Sequence, residues 1–510
     1  MISSWPTVLA ATIPLLVAAA YLAYRYSTYY YGYWAERGVP HAEPTTLLGH
    51  FARPILGREN SAFTVDSHYR RFGGHRYFGM YQLRHPILVL RDPELAHAVL
   101  TKDFASFHDR LTSRTSFKHD QLFSNVVNLT GDRWKAVRAK LTPTFTTARL
   151  KTMFADLYVC TDRLMNKLSL LTSDDQGVVN VTDIISKFTI DTIGRCAFGL
   201  DCNSLFDSNS EFQRAGEAVF RPTVKMLLHN FMRLIDIGWL IDLLRLRSMP
   251  DYVYEFYLNI FHDTLKLRDT EVEDRNDFVS ILIKLRNKEK ENNNKVELFT
   301  DEVLASNAFI FFAAGFETTA TTMSYCLYEL ALNKDIQTKL REQIKLMMNE
   351  NDGKLTYDGI KNIKYLDMII NETLRMHPPV AVTIRVCTKK YKLPDSDLTL
   401  DVGTKVFIPL YSYHNDPKYY PNPKVFDPLR FTEENKASIP NGAYLPFGDG
   451  PRICIGKRFA IMEAKTGLAE IISRFEVLPS KDIQIPIQIN PHAFVLTPSS
   501  PIRLLLKKIN

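Results

Sequence analysis

FGDGPRICIG, residues 447–456, holds three glycines and a proline in ten positions, a composition that excludes a helix interior. The stretch that follows, Lys457 to Ser473 (KRFAIMEAKTGLAEIIS), reads as strongly helical. Cys454 therefore sits in a tight loop that delivers it to a helix N-terminus, where outward N–H groups and the helix dipole favour negative charge. Such a site lowers a thiol pKa and can hold a thiolate. Three readings of this thiol stand side by side. An inert buried cysteine is the usual fate of a lone thiol, but it does not need the glycines. A catalytic nucleophile needs a histidine base, and none is suggested locally. A thiolate ligand to a metal is the third. A phosphate-binding loop is excluded by count: five residues, not four, separate Gly450 from Gly456, and Lys457 is followed by Arg458.

Around that loop lies a chain of 510 residues, 45% hydrophobic and 23% charged. This composition excludes a disordered chain, a collagen-like repeat and a polytopic membrane protein. The net charge of +7 gives no reason to expect nucleic-acid binding. The six cysteines are too scattered for a disulfide scaffold, and without a CxxC pair they do not suggest structural zinc.

Residues Ile2 to Tyr24 carry no charged side chain. As a helix they would reach about 35 Å, enough to cross a bilayer core of roughly 30 Å. A cleaved signal peptide would want a basic residue before the apolar run and a small-residue cleavage site. Neither is present, and the tyrosines and Trp34 that follow resemble an interfacial belt. Arg25, Arg37 and Arg53 lie on the C-terminal side, which places the body of the protein in the cytosol. The expected layout is an anchor over 1–25, a linker over 26–49 and one catalytic domain over 50–510. Two sequons, at Asn128 and Asn371, test the orientation, because a cytosolic body leaves both unmodified.

Residues 76–90 alternate like a hairpin, and helical periodicity dominates 93–375, with long segments near 148–172, 181–200 and 255–286. Asn287 to Lys295 reads as a solvated loop. Short extended pieces return near 380–410 and at the C-terminus. The fold class is mainly α with small β-sheets (α+β). Thr300, Asp301 and Glu302 open a helix that can run to Leu332. On it Phe311, Ala314, Gly315, Thr318 and Thr322 recur on one face. Taken alone, that helix reads as core, with the Thr hydroxyl bonded back to its own backbone.

Phe447-x-x-Gly450-x-Arg452-x-Cys454-x-Gly456 matches, without a mismatch, the haem-binding loop of the cytochrome P450 family, the haem-thiolate monooxygenases, and the rest of the chain resembles that family as well. Glu372-Thr373-Leu374-Arg375 matches its ExxR element, and Phe426 to Phe431 resembles the segment whose arginine, here Arg430, completes a buried triad. Ala314-Gly315-Phe316-Glu317-Thr318 matches the oxygen-activating stretch, and Trp134-x-x-x-Arg138 matches the helix that holds the haem propionates. The order and spacing cover nearly all of residues 50–500. Phe107-His108-Asp109-Arg110 and Gly131-Asp132-Arg133-Trp134 resemble the insect xenobiotic-metabolising group.

The resemblance implies haem b with Cys454 as axial thiolate. It implies Trp134, Arg138, Arg385, Arg452, Phe447, Ala314 and Gly315 around the cofactor, and Glu317 and Thr318 as proton relay toward dioxygen. A thiolate ligand pushes electron density onto the iron and favours O–O cleavage. No G-x-G-x-x-G follows a strand, so electrons must come from another protein. The resemblance implies NADPH–cytochrome P450 reductase in the endoplasmic reticulum membrane, with cytochrome b5 as a second donor. Arg133, Lys135, Lys140, Lys457 and Arg458 are candidates for docking it. By analogy Phe107, Phe117, Phe123, Phe309, Phe311, Val380, Val382 and Phe494 line a pocket for lipophilic molecules. Residues 224–246 either dip into the membrane or pack as an interior helix. Hormone or fatty-acid oxidation, a reductase-independent isomerase or dehydratase, and a non-catalytic haem sensor remain as alternatives.

Overall fold

The computed structural model describes residues 5–110, 120–173, 177–221, 223–270, 277–291 and 298–509. The helices that position the site are α1 (Trp5–Thr28), α2 (Gly131–Leu141), α3 (Thr147–Leu171), α4 (Val181–Ile193), α5 (Glu211–Phe220), α6 (Val224–Leu234), α7 (Asp251–Thr270), α8 (Phe278–Glu291), α9 (Asp301–Leu332), α10 (Lys364–Met376) and α11 (Lys457–Arg474). The strands are β1 (Tyr77–Gln82), β2 (His85–Leu90), β3 (Val178–Asn180), β4 (Thr383–Val386), β5 (Lys405–Ile408), β6 (Phe475–Pro479) and β7 (Arg503–Lys508), with a two-residue ladder at Tyr391–Lys392 and Thr399–Leu400.

The larger sheet runs β1-β2-β5-β4, with β2 and β5 parallel and its other pairs antiparallel. The register sets Arg385 opposite Val406, which fixes where that guanidinium enters the core. A second sheet, β3-β7-β6, brings the C-terminus back against α4. The expected hairpin over 76–90 is β1–β2.

Helix α9 is the axis of the main hydrophobic core. The Thr300 hydroxyl accepts the Val303 N–H, and Asp301 and Glu302 occupy the first turn where the dipole favours them. Its apolar residues face every direction, because α4, α7, α8, α10 and α11 all pack on it. It is long and apolar enough to cross a membrane, but it is buried inside the fold.

Helix α10 ends at Met376 because Pro378 and Pro379 follow. Glu372 and Arg375 face each other on it, both fully buried, at 2.7 Å (Nε–Oε2) and 2.8 Å (Nη2–Oε1). Arg375 also donates to the carbonyls of His414 and Pro423, and the Asp427 N–H donates to Glu372. Arg430 joins with its Nε 3.4 Å from Glu372 Oε1, an ion pair without a hydrogen bond, while its Nη2 donates to Asn422.

Three sequence expectations are corrected. The segment 255–286 is two helices, α7 and α8, with 271–276 outside the described residues. The segment 181–200 is α-helical only to Ile193. It then widens into a π-helical turn, Gly194–Phe198, closed by Gly199 at φ 65°. Asn287 to Glu291 are the last turn of α8 rather than loop, with Glu289 accepting the N–H groups of Leu298 and Phe299, and the rest of that expected loop, 292–295, lies outside the described residues.

Candidate active site

The loop before α11 is held from both sides. Gly450 has φ 68°, and a Cβ there would collide with the Leu100 carbonyl oxygen. Asp449 accepts the Gly450 N–H at 2.7 Å and meets His97 at 2.7 Å, which ties the loop to the helix Pro93–Leu100. The Cys454 N–H donates to the Phe447 carbonyl at 2.9 Å, so Phe447 closes the loop behind the thiol.

Of the six cysteines, five are buried and Cys454 is exposed. Burial pushes the buried thiols up, Cys160 and Cys326 to about 12 and Cys387 to about 11, so they are inert. The Cys454 pKa is raised too, by desolvation, against the pull of the Gly456 and Lys457 N–H groups and of Arg110 and Arg138. The helix N-terminus alone therefore does not lower it as expected; the surrounding protein outweighs the dipole. A side chain that is both accessible and desolvated lines an internal cavity. A metal in that cavity would remove the thiol proton outright.

Four guanidiniums crowd beside it. Arg385 is 1% exposed and Arg452 2% exposed. Arg452 donates to the carbonyls of Val127 and Leu129, lies 4.1 Å over the Trp134 ring, and is 3.6 Å from Asp109. Arg138 donates to the Ile453 carbonyl at 2.7 Å. Burial and mutual repulsion, Arg110 foremost, bring Arg452 down to about 8 and Arg385 to about 9. Desolvation also lowers Arg110 and Arg138.

The Nε groups of Arg110, Arg385 and Arg452 are buried without partners. Asp109 is the carboxylate that meets this group, and it is already engaged by His108 and the Gly131 N–H. Positive charge left over inside a protein calls for an anion. The two propionates of a haem fit that excess, and Cys454 fits its iron.

Arg110 was not among the expected ligands, although its tetrapeptide was noted. The fold reveals it: the Val386 N–H donates to the Asp109 carbonyl, and Arg110 Nη2 donates to the Arg452 carbonyl at 3.1 Å. Thus β4, the 107–110 loop and the cysteine loop are bolted together. The nearest sequence signal was a basic residue beside a His-Asp pair, which is too common to single out.

On α9, Ala314 is exposed and Gly315, Glu317 and Thr318 are partly so, while Phe312, Ala313, Phe316 and Thr319 are buried. Thr319 borders Glu463, and Met323 meets α11 at Gly467. The Ala314–Thr318 patch therefore lies toward the Cys454 end of α11. The Thr318 hydroxyl donates to the Ala314 carbonyl at 2.8 Å and keeps its lone pairs for a further donor. Burial pushes Glu317 up to about 7, with Glu217 adding to the rise and Arg221 opposing it.

Gly315 is turned elsewhere than expected. A Cβ there would meet Ile193 at 2.9 Å, so the glycine makes room for α4 rather than for a cofactor.

The expected pocket phenylalanines are mostly core. Phe107 is fully buried against Tyr391, Phe309 packs on Tyr257, and Phe311 packs on Phe278 and Phe145. Phe494 is exposed, and Phe117 lies outside the described residues. Phe312, Phe316 and Phe220 form the aromatic cluster on α9 and α5 instead, and periodicity alone could not distinguish them.

The family model for cytochrome P450 matches residues 40–506. The chain is 38% identical over 507 residues to cytochrome P450 6a2 of Drosophila melanogaster, covering 97% of this chain and 99% of that one. It is 36% identical to cytochrome P450 6k1 of Blattella germanica, with 97% and 95% covered. It is 35% identical to cytochrome P450 9e2 of Blattella germanica, with 93% and 94% covered.

Proposed function

The chain belongs to the cytochrome P450 family, and on that premise we propose that it is a membrane-anchored, reductase-fed monooxygenase that clears lipophilic xenobiotics. Membership makes it a monooxygenase with haem and an axial cysteine thiolate, a redox partner and lipophilic substrates. The observation that carries the residue assignment is the cluster of buried arginines, three of them with unpartnered Nε groups, beside the one exposed cysteine. Cys454 would ligate the iron, and Arg110, Arg138, Arg385 and Arg452 with Trp134 would hold the propionates. Bound there, haem supplies reductive activation of dioxygen.

The protein's own part is to hold water out and move protons. Ala314 leaves space on the cavity wall. The Thr318 hydroxyl can accept a hydrogen bond while tied to Ala314, which fixes its direction. Glu317, with its pKa near 7, is a proton donor matched to neutral conditions. Thr318→Ala should therefore keep the thiolate-type carbonyl spectrum but release peroxide, raising NADPH consumed per product. Unchanged coupling removes Thr318 from the relay.

The sign for Glu317 follows from its raised pKa. The donor form persists up to about 7 and is lost above it. Coupling should fall as pH rises through that value, and Glu317→Gln should flatten the profile. A wild-type profile without a step near pH 7 goes against the assignment.

Several features support the anchor. Helix α1 presents exposed Ile13, Leu15, Leu16, Val17 and Leu22, which the body does not cover. The α6 region is exposed at Val224, Leu227, Leu228 and Phe231, and Trp239 and Leu243 continue the patch. This favours the membrane reading of residues 224–246 over an interior helix. The Tyr26 hydroxyl donates to the Ile235 carbonyl at 2.6 Å, which makes anchor and patch continuous. An endoplasmic reticulum membrane with the catalytic domain facing the cytosol fits this arrangement.

Arg133, Lys135, Lys140, Lys457 and Arg458 are exposed on the cysteine side, where NADPH–cytochrome P450 reductase or cytochrome b5 would dock. Replacing Lys457 and Arg458 with glutamate should slow reductase-supported turnover and weaken its salt dependence. Equal rates would place docking elsewhere. The half-buried, tethered Thr318 and Glu317 with its raised pKa favour oxygenation over an isomerase, a dehydratase or a sensor. Reductase-dependent NADPH use with product separates these readings, and a substrate panel separates xenobiotic clearance from hormone or fatty-acid oxidation.

A further inference from the structure

Before the chain enters α2, residues 120–129 pass over α9, with the 3₁₀ turn Gln121–Phe123 packed on it. Among the described residues, the backbone bonds of this segment stay inside it, as when the Leu129 N–H donates to the Asn125 carbonyl. Polar side chains fasten it to the rest. At one end Asp120 accepts the Ser248 N–H and the Tyr254 hydroxyl. Toward the other, Arg452 donates to the carbonyls of Val127 and Leu129. The tie between them comes from α9: Asn307 Oδ1 accepts the Val126 N–H at 3.0 Å. Ser124 adds an outer tie, its hydroxyl donating to Glu302 at 2.7 Å.

Asparagine is a poor helix former and costly to bury, yet Asn307 is 0% exposed in the middle of an apolar helix. Both ends of its amide are bonded, since Nδ2 donates to the Val303 carbonyl at 2.7 Å. Turning the amide over would set N–H against N–H and oxygen against oxygen, so one orientation alone satisfies both partners. Its place on the helix gives the tie its meaning. Asn307 precedes Ala314 by seven residues and Thr318 by eleven, two and three turns, so the three share one stripe of α9. Ala314 and Thr318 border the active cavity. About 10 Å along the axis from Ala314, the same stripe meets the 120–129 segment, which spans from there to Arg452.

We propose that Asn307 is a positioning residue for substrate: by holding the Val126 N–H it keeps residues 122–129 in place as a preformed wall of the cavity, against which a lipophilic substrate packs. The inference deepens the monooxygenase reading and rests on it for the identity of the cavity. A wall that is ordered before binding costs the arriving ligand nothing, whereas a loosened wall must be ordered each time and affinity falls accordingly. The effect is selective. A ligand too small to reach the wall is indifferent to Asn307.

Absorbance titrations of the haem-loaded full chain with imidazole and with phenylimidazole test this. Both bind iron through the same ring nitrogen and shift the Soret band, and the second adds an aromatic ring that presses on the cavity wall. Asn307→Leu keeps the side-chain shape and removes the amide. In it the Kd of phenylimidazole should rise about tenfold, the equivalent of about 1.4 kcal/mol and the usual net weight of one hydrogen bond. The Kd of imidazole should stay at the wild-type value. Asn307→Asp, which still offers an oxygen to Val126, should recover part of the loss. An unchanged Kd for phenylimidazole in Asn307→Leu overturns the proposal. Equal losses for both ligands overturn it as well, because they report a damaged haem site rather than a loosened wall. Where Asn307→Leu does not load haem, Asn307→Ser decides. Its hydroxyl can bond back to the Val303 carbonyl but is too short to hold Val126; a selective loss of phenylimidazole supports the tie, and no loss sinks it. The titrations need neither reductase nor turnover, so failure of the monooxygenase reading is told apart from failure of this tie.

Discussion

Cys454→Ser is expected to abolish the red-shifted, thiolate-type Soret band of the reduced carbonyl complex and to remove monooxygenase turnover. The loop survives the change: its shape comes from Gly450 against Leu100, from Asp449 on His97 and from the Cys454 backbone N–H on Phe447. None of these uses the sulfur. What changes is the ligand, because a serine hydroxyl does not give up its proton near neutral pH as a metal-bound thiol does. The protein should stay folded, and circular dichroism alongside the carbon monoxide difference spectrum checks both halves. A persistent thiolate-type band in Cys454→Ser would falsify the ligand assignment.

Arg375→Ala is expected to cost the fold itself. Both partners of the Glu372–Arg375 pair are fully buried, joined by two bonds, and Arg375 also carries the carbonyls of His414 and Pro423. Removing the guanidinium leaves the buried Glu372 carboxylate with only the Asp427 N–H and the more distant Arg430, and strips the His414 and Pro423 carbonyls of their Arg375 donors. Breaking such a pair costs about 3–5 kcal/mol, a large share of the roughly 5–15 kcal/mol that stabilises a domain. Haem content and thermal stability should be lost together. Arg430→Ala should be milder, because Arg430 reaches Glu372 at 3.4 Å without a hydrogen bond. Equal losses in the two variants would contradict the geometry.

Legibility followed the range of the interactions. The cysteine loop was readable because glycines, proline and a following helix are local constraints, and the caps of α9 and the stop of α10 were readable for the same reason. The triad was half readable: Glu372 and Arg375 share one helix face, whereas the distance of Arg430 depends on how residues 422–430 fold back. Gly315 was misread because periodicity marks a face of α9 but not the neighbour of that face, which is Ile193.

By itself, then, the sequence determined the thiol, its loop, the acid–alcohol pair Glu317–Thr318 and the apolar N-terminal stretch, because each is written in adjacent residues. Only the tertiary structure decided which arginines converge, that Arg110 joins them, that five cysteines are inert and one is open, and that Asn307 holds Val126. The physical reason is that whether a charge or a hydrogen bond is satisfied is a property of surroundings. A lone arginine or asparagine reads as a solvated surface residue until packing brings it together with the others and shuts out the water.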